Sequence, residues 1–183
     1  MKKLFWGLFF IFLNFNLSLN QHTLNILPPF VGYYLLYQGS RELEGESSLF
    51  QGICPFAVGM GIYTAILWVG DLLGVTSGSS VIGVLLGLLA TVVGLYICWA
   101  LIQAVQDVEI HRGAELNSAA MRRAWIIMVV AQVVCYLCVW LLSGLALLGL
   151  IAGLIGTIML LAAFWKGQKL YEALPFQEGG PEV

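Results

Sequence analysis

The sequence predicts an all-α integral membrane protein, a helical bundle with about six membrane segments. Of its 183 residues, 60% are hydrophobic and only 10% are charged, whereas a typical soluble domain has about 25% charged residues. Apolar stretches of the roughly 20 residues that a helix needs to cross a bilayer recur along the chain. This composition excludes a soluble globular protein. It predicts a single membrane domain over residues 1–174, followed by a flexible C-terminal tail over residues 175–183.

Four membrane spans are predicted from apolar stretches separated by turn residues. The sequence GVTSGSS fills residues 74–80, and Ser143-Gly144 separates the last two stretches; such small and polar residues typically form turns. The second span continues as an amphipathic extension to residue 112. Gly113 is predicted to end that helix, and Asn117 or Ser118 to cap the next one. The predicted spans cover residues 50–73, 81–101, 119–142 and 145–165.

The first 45 residues predict a short helical hairpin over residues 4–43. Residues 4–13 form an apolar run, and Pro28-Pro29 opens a second one, since proline is tolerated in a first helical turn. Between them, residues 14–20 alternate between polar and apolar, which indicates an extended segment or a polar helix end. Both a full crossing and a re-entrant hairpin fit. A secretory signal peptide is the competing interpretation, but no A-x-A-like cleavage site follows the apolar run.

The basic residues predict the orientation, because cytoplasmic loops of membrane proteins carry an excess of lysine and arginine. With six crossings and an internal N-terminus, all eight basic residues lie on the cytoplasmic side, and both termini are cytoplasmic. Asp71 is the only acid predicted on the outer side, either as a solvated carboxylate at a helix end or as a contact for a cation or substrate. The basic residues are Lys2, Lys3, Arg41, Arg112, Arg122, Arg123, Lys166 and Lys169.

Catalysis within the membrane needs ionisable groups at membrane depth, and the predicted spans contain essentially none. The sequence therefore predicts no catalytic residue, no cofactor and no metal site, and thus a protein that is not an enzyme. His22 and His111 are predicted on opposite sides, so they cannot share a metal ion. The scattered basic residues leave no footprint for a nucleic acid partner. The four cysteines, Cys54, Cys98, Cys135 and Cys138, are interpreted as buried small hydrophobes. This interpretation includes Cys135 and Cys138, although these two form a C-x-x-C motif.

Small residues at helical spacing form stripes on three of the predicted spans, and such stripes let helix backbones approach closely. Packing within the bundle is the favoured interpretation, and a homo-oligomer or a helix of a membrane protein partner is the alternative. Ala57 and Ala65 extend the first stripe. The predicted packing glycines are Gly61, Gly83, Gly87, Gly94, Gly149, Gly153 and Gly156.

Four polar residues are predicted near the middle of the membrane: Gln132, Thr64, Thr91 and Thr157. The amide of Gln132 needs a partner there, and Thr91 or Thr157 are the predicted ones. Two functional hypotheses follow. The favoured one is a small scaffold or accessory subunit that acts through helix packing in the lipid bilayer. The alternative is a small permease, or a protein that handles a lipid or another small molecule, and for this alternative the four polar residues would contact the ligand.

The segment LNILPPFVGYYLLYQG, residues 24–39, follows a Lys-Lys-Leu-Phe-Trp start. It resembles the Leu-Leu-Pro-Asp-Phe-(Ile/Val)-Gly-Tyr run near the N-terminus of small, uncharacterised bacterial multi-pass membrane proteins. This chain differs from that pattern at Pro29, where the acid is missing, and at Gln38, where the base is missing. The resemblance covers about the first 45 residues. It implies a location in a bacterial cytoplasmic membrane and no particular chemistry.

Overall fold

A computed structural model describes residues 1–12, 16–19, 22–25, 28–72, 81–141 and 143–174. Within these ranges the chain is a helical bundle of six helices, as predicted, with one small pair of strands. The predicted loop at 74–80 and the predicted tail lie outside the described residues. The elements are α1 (Lys2–Phe12), β1 (Asn16–Leu19), β2 (His22–Asn25), α2 (Pro29–Glu42), α3 (Leu49–Leu72), α4 (Val81–Arg112), α5 (Ser118–Leu141) and α6 (Ser143–Glu172).

Three stretches of α3, α4 and α6 are long and apolar enough to cross a membrane: Leu49–Gly70, Leu86–Arg112 and Ile151–Glu172. They identify the chain as a membrane protein with transmembrane helices. Helices α1 and α2 contain 11 and 14 residues, which corresponds to about 16 and 21 Å of length. The hydrocarbon core of a bilayer is about 30 Å thick. Neither helix of the predicted hairpin is therefore long enough to cross it alone.

The tip of the N-terminal hairpin is extended and not helical. Strands β1 and β2 pair antiparallel, with Asn16 opposite Asn25 and Leu19 opposite His22. The alternation of polar and apolar residues in this segment has the period of a strand. The extended interpretation of this segment is thus confirmed, and a helix that continues to the tip is wrong.

Helices α1 and α2 approach each other through glycines that the sequence analysis did not single out. A Cβ atom on Gly7 would lie 2.8 Å from the carbonyl oxygen of Gly32, and a Cβ on Gly32 would lie 2.7 Å from that of Gly7. One face of α2 carries Gly32 and Gly39 seven residues apart, and a Cβ on Gly39 would lie 3.0 Å from the backbone nitrogen of Leu4. Only glycine permits this distance between the two backbones.

Ion pairs bring the ends of four helices together at one end of the bundle, which we call the basic end. Lys3 lies 2.5 Å from Glu42 and joins α1 to α2, and Lys2 lies 3.5 Å from Glu172 and joins α1 to α6. Arg112 at the end of α4 donates to Glu46 in the loop before α3, with Nε 2.6 Å from the carboxylate. Lys2 and Lys3 of α1 and Arg112 of α4 thus lie at the same end of the molecule, together with their carboxylate partners. The predicted topology requires this arrangement.

The hydrophobic core is concentrated next to the basic end. Leu101, Val105 and Val108 on the extension of α4 are fully buried, and so are Met121 on α5 and Leu160 on α6. Helix α4 is continuous from its apolar part through this extension to Arg112, as the sequence predicted. The amphipathic extension therefore organises the core around which the other helices pack.

The turn between α4 and α5 departs from the prediction. Gly113 follows α4 with φ +60°, as expected for a glycine that ends a helix. The start of α5 is not capped by Asn117 or Ser118, because the carboxylate of Glu109 accepts hydrogen bonds from the backbone N–H of Ser118, at 2.9 Å, and of Leu116. The predicted local cap is wrong: the acceptor comes from the preceding helix, and the Asn117 amide donates instead to the carbonyl of Ala163, at 3.3 Å.

Helix α6 continues to Glu172 and does not end near residue 165 as predicted. Its last turns pack against the turn before α5. A Cβ atom on Gly167 would lie 2.6 Å from the carbonyl oxygen of Leu116 and 2.4 Å from the side chain of Met121. Gln168 in the same segment is buried. These long-range contacts, which hydropathy does not report, stabilise the additional helical turns.

Candidate functional site

All six helices line one cavity of about 560 Å³. It lies along the middle of the long helices and extends away from the basic end. Helix α1 contributes its last residues and α2 its first, so the N-terminal hairpin closes one side. The lining residues are Ile11, Phe12, Pro29, Tyr33, Met60, Thr64, Ala90, Thr91, Gly94, Leu95, Met128, Gln132, Gly149, Gly153, Leu154 and Thr157.

The four polar residues predicted near the membrane midplane all line this cavity. Thr64 comes from α3, Thr91 from α4, Gln132 from α5 and Thr157 from α6. Their helical positions suggested a similar depth, but the sequence did not show that the four helices turn these residues towards one another. The structure therefore brings the predicted polar set together in one place.

The three threonines donate their hydroxyl protons to carbonyl oxygens of their own helices. Thr64 donates to Met60 at 2.7 Å, and Thr157 donates to Gly153 at 2.9 Å. Thr91 donates to the carbonyl of Gly87 at 2.9 Å. A hydroxyl that donates within its helix keeps its oxygen lone pairs as acceptors. These residues can therefore accept hydrogen bonds from a ligand.

Gln132 is half-buried and forms no hydrogen bond with any residue that the structure describes. The prediction that Thr91 or Thr157 is its partner is wrong, because the Gln132 amide makes no hydrogen bond to either hydroxyl, and both hydroxyls donate within their own helices. A glutamine amide has two N–H donors and one carbonyl acceptor. In a membrane interior an amide without a partner is costly, so a ligand that satisfies Gln132 gains binding free energy.

None of the lining residues that the structure describes carries a charge. Among them, Tyr33, which is 4% exposed, is the only titratable side chain. Its hydroxyl lies 3.8 Å from the position that a Cβ on Gly94 would occupy. Across the described ranges, no three His, Cys, Asp or Glu side chains lie close enough together to hold a metal ion.

The predicted packing glycines divide into those that contact another helix and those that do not. Gly156 packs tightly, since a Cβ there would lie 3.1 Å from the backbone of Met128, and Gly61 makes an ordinary contact, 3.5 Å from Tyr33. A Cβ on Gly153 would meet only Ala131, at 4.0 Å. Together with Gly94 and Gly149, Gly153 lines the cavity instead. In these positions the absence of a side chain widens the cavity.

Gly87 does not pack against another helix within the part of the chain that the structure describes. It is exposed, and a Cβ atom there would meet no atom within 4 Å among the described parts of the protein. The prediction that Gly87 is an internal packing contact is wrong, because no described side chain or backbone of another helix comes close to α4 at this position. The surroundings of Gly83 and of the Asp71 side chain lie outside what the structure describes.

Comparisons with protein-family models, with curated proteins and with solved structures found no match to this chain. The N-terminal resemblance to small bacterial membrane proteins therefore stays a prediction.

Proposed function

We propose that the protein binds a neutral amphipathic small molecule, such as a lipid with hydroxyl or ester groups, in the cavity between its six helices. The observation that carries this proposal is the convergence of Gln132, Thr64, Thr91 and Thr157 on one cavity. Polar groups placed at a few points of an otherwise apolar cavity are typical of small-molecule sites. The geometry thus favours the lipid- or small-molecule-handling hypothesis over the scaffold hypothesis.

The size and chemistry of the cavity limit the ligand. Its volume of about 560 Å³ falls within the range of roughly 300 to 1,000 Å³ that is usual for small-molecule sites. A charged ligand would lose its hydration without meeting an opposite charge, which is strongly unfavourable. Gln132 can both donate and accept, and the threonine oxygens can accept. The expected ligand is uncharged, largely apolar, and carries hydroxyl or carbonyl groups.

We propose binding or passage of the ligand and not its chemical conversion. General acid–base and nucleophilic catalysis use groups such as histidine, carboxylate, cysteine or an activated serine. The residues that line the cavity offer threonines bonded to their own helices, one amide and one tyrosine. A permease or a lipid-handling protein needs no more than these groups.

A photoreactive monoacylglycerol, with a diazirine in its acyl chain, tests the proposal on the full-length protein in neutral detergent. We expect saturable cross-linking to lining residues such as Met60, Met128 and Leu154. Gly153→Phe fills the cavity and should reduce this cross-linking at least tenfold. Gly59→Phe is the matched control, because Gly59 is exposed and a Cβ there meets no atom within 4 Å.

Two results would contradict the proposal. The first is cross-linking that spreads over exposed residues of α3 and α4 and that Gly153→Phe does not reduce. The second is equal or better labelling by an analogue that carries a phosphate, since the neutral cavity should exclude that charge. A Gly153→Phe protein that melts as the wild type does but no longer binds the probe would support it most directly.

The scaffold hypothesis is the second candidate, and the exposed face of α4 that carries Gly87 favours it. A Cβ on Gly87 would meet no described atom within 4 Å, and Leu86 and Leu88 next to it are 38% and 42% exposed. Leu89 is 58% exposed on the opposite side of the helix. A second helix could approach closely at Gly87. We expect Gly87→Leu to abolish any cross-linked dimer or partner complex isolated from membranes, and we expect Leu89→Ala to retain it. Equal recovery of the complex with both variants would exclude the Gly87 face of α4 as the contact surface.

We also propose that the protein resides in a bacterial cytoplasmic membrane with both termini in the cytoplasm. The resemblance of the N-terminal segment supports the location. The ion pairs that gather Lys2, Lys3 and Arg112 at one end support the orientation, because basic ends of membrane helices favour the cytoplasmic side.

A further inference from the structure

A second cavity, of about 340 Å³, lies between α4 and α5 at the basic end, and its described lining shares no residue with that of the cavity of the proposed function. Helix α4 contributes Gln106. Helix α5 contributes Ser118, Ala119, Arg122, Arg123 and Ile126. Two arginines and an amide thus line a recess at the level where the predicted span enters the cytoplasmic interface.

The two arginines carry positive charge that the described residues do not neutralise. Both are exposed, and neither lies within 4 Å of a described carboxylate. The nearby acids of α4 are engaged elsewhere: Asp107 accepts from the hydroxyl of Ser47, at 2.5 Å, and Glu109 holds the start of α5. By contrast, Lys2, Lys3, Arg41 and Arg112 each lie beside a carboxylate.

An exposed apolar surface continues from this cavity along α5 into the membrane. Ile126, which lines the cavity, is 47% exposed; the adjacent Ile127 is 40% exposed, and Val130, one turn further along α5, is 56% exposed. In a bilayer these side chains contact acyl chains. A molecule with an anionic head and an apolar tail therefore matches the cavity and the surface at the same time.

We infer that this cavity binds the phosphate group of an anionic phospholipid of the cytoplasmic leaflet, with an acyl chain along Ile126 and Val130. Guanidinium groups recognise phosphate oxygens through paired hydrogen bonds. Basic pockets between membrane helices on the cytoplasmic side bind anionic lipid headgroups. Gln106 and the two arginines provide the donors, and the uncompensated charge selects an anionic headgroup over a zwitterionic one.

Native mass spectrometry of the full-length protein in neutral detergent, titrated with phosphatidylglycerol or phosphatidylcholine, tests the inference. We expect the first bound phosphatidylglycerol to be favoured about tenfold or more. Arg122→Gln/Arg123→Gln should lower its affinity about thirtyfold, since each basic residue near an anionic surface contributes about fivefold. Lys166→Gln/Lys169→Gln removes the same charge at the same end outside the cavity, and it should leave the affinity within about threefold.

Two further arms make the test decisive. Ala119→Trp fills the recess and keeps both arginines, so it should abolish the lipid preference. Glycerol 3-phosphate has the charged group without acyl chains and should compete only at concentrations at least a hundredfold higher. Equal losses in the arginine and lysine variants would reduce the effect to general surface charge. Equal competition by glycerol 3-phosphate would show a phosphate site without a lipid. Either result would overturn the inference.

Discussion

The half of the molecule at the basic end and the half around the cavity are built in opposite ways. At the basic end, Leu101, Val105 and Val108 are fully buried, and ion pairs join the ends of four helices. Around the cavity, the helices separate, glycines face open space, and Gln132 makes no bond to the described part of the protein. The comparison suggests that one half stabilises the fold and the other is left available for binding.

This division follows from the chemistry of each half. Near water, carboxylates and basic side chains can pair across helices at little desolvation cost, so several sequence-distant elements are tied together there. Within the bilayer, apolar side chains gain little from leaving lipid for another helix. A cavity in that half therefore costs less stability than the same cavity would in a soluble core.

The two ends are expected on opposite sides of the membrane, and this all-or-none difference is the largest effect. Reporter fusions after Val183 and within residues 74–80 should report the cytoplasm and the exterior, respectively, because we expect the basic end to face inwards. A fusion after Arg112 serves as a second cytoplasmic marker. Finding Val183 and the 74–80 loop on the same side would refute the topology.

The closest backbone approach in the half at the basic end predicts the largest loss of stability. Gly167→Ala should lower the free energy of unfolding in detergent by about 2 to 3 kcal/mol, because overpacking costs of this size arise when a neighbour cannot move, and the added Cβ would lie 2.6 Å from a backbone carbonyl. Gly59→Ala is the control: its methyl group would meet no described atom within 4 Å apart from the backbone of its own helix. Equal melting of the two variants would contradict the close contact.

The carboxylate that holds the start of α5 predicts an intermediate effect. Glu109→Ala removes the acceptor for two backbone N–H groups and for the Ser118 hydroxyl, and we expect a loss of about 2 kcal/mol. Glu115→Ala removes an exposed acid from the same turn and should change stability by no more than about 0.5 kcal/mol. Denaturant titration of both proteins measures the difference. A loss below that of Glu115→Ala would show that the cap is dispensable.

Substitution of Gln132 is expected to give the smallest change in the free energy of unfolding, together with weaker binding of the ligand. Gln132→Leu should alter the free energy of unfolding by less than about 0.5 kcal/mol, since no described partner is lost. It should weaken binding of the monoacylglycerol probe about fivefold, the value of one neutral hydrogen bond. Val133→Leu, on an exposed neighbouring position, should change neither quantity. A stability loss without a binding loss would make Gln132 a packing residue.

Hydropathy and turn residues were sufficient to predict the four long helices. Helix α3 covers Leu49–Leu72, where residues 50–73 were predicted, and the extension of α4 ends at Arg112 as expected. The similar heights of Gln132 and the three threonines along their helices, which bring them to one cavity, were also predictable, because the rise per residue is fixed in a helix. These features are predictable because hydropathy, turn residues and helical rise depend only on residues that are close together in the sequence.

Contacts between distant segments were not predictable in the same way. The length of α6 depends on how Gly167 meets the turn at Leu116, and the cap of α5 depends on Glu109 in another helix. The stripe at Gly87 was assigned to packing because spacing shows which residues share a face but not what that face meets. The spacing of Gly32 and Gly39 on α2 was the one available signal for the tight crossing with α1.

The cavity draws residues from all six helices, and this has a consequence for biogenesis. Helices that are neighbours in sequence, such as α1 with α2 and α5 with α6, pack closely, so each pair can form as it leaves the ribosome, in the manner of contacts with low sequence separation. The cavity exists only when the first helix meets the last. A ligand would then bind only to the completely synthesised and assembled bundle. By mass action it would stabilise this bundle and would not stabilise a bundle that lacks one of its helices.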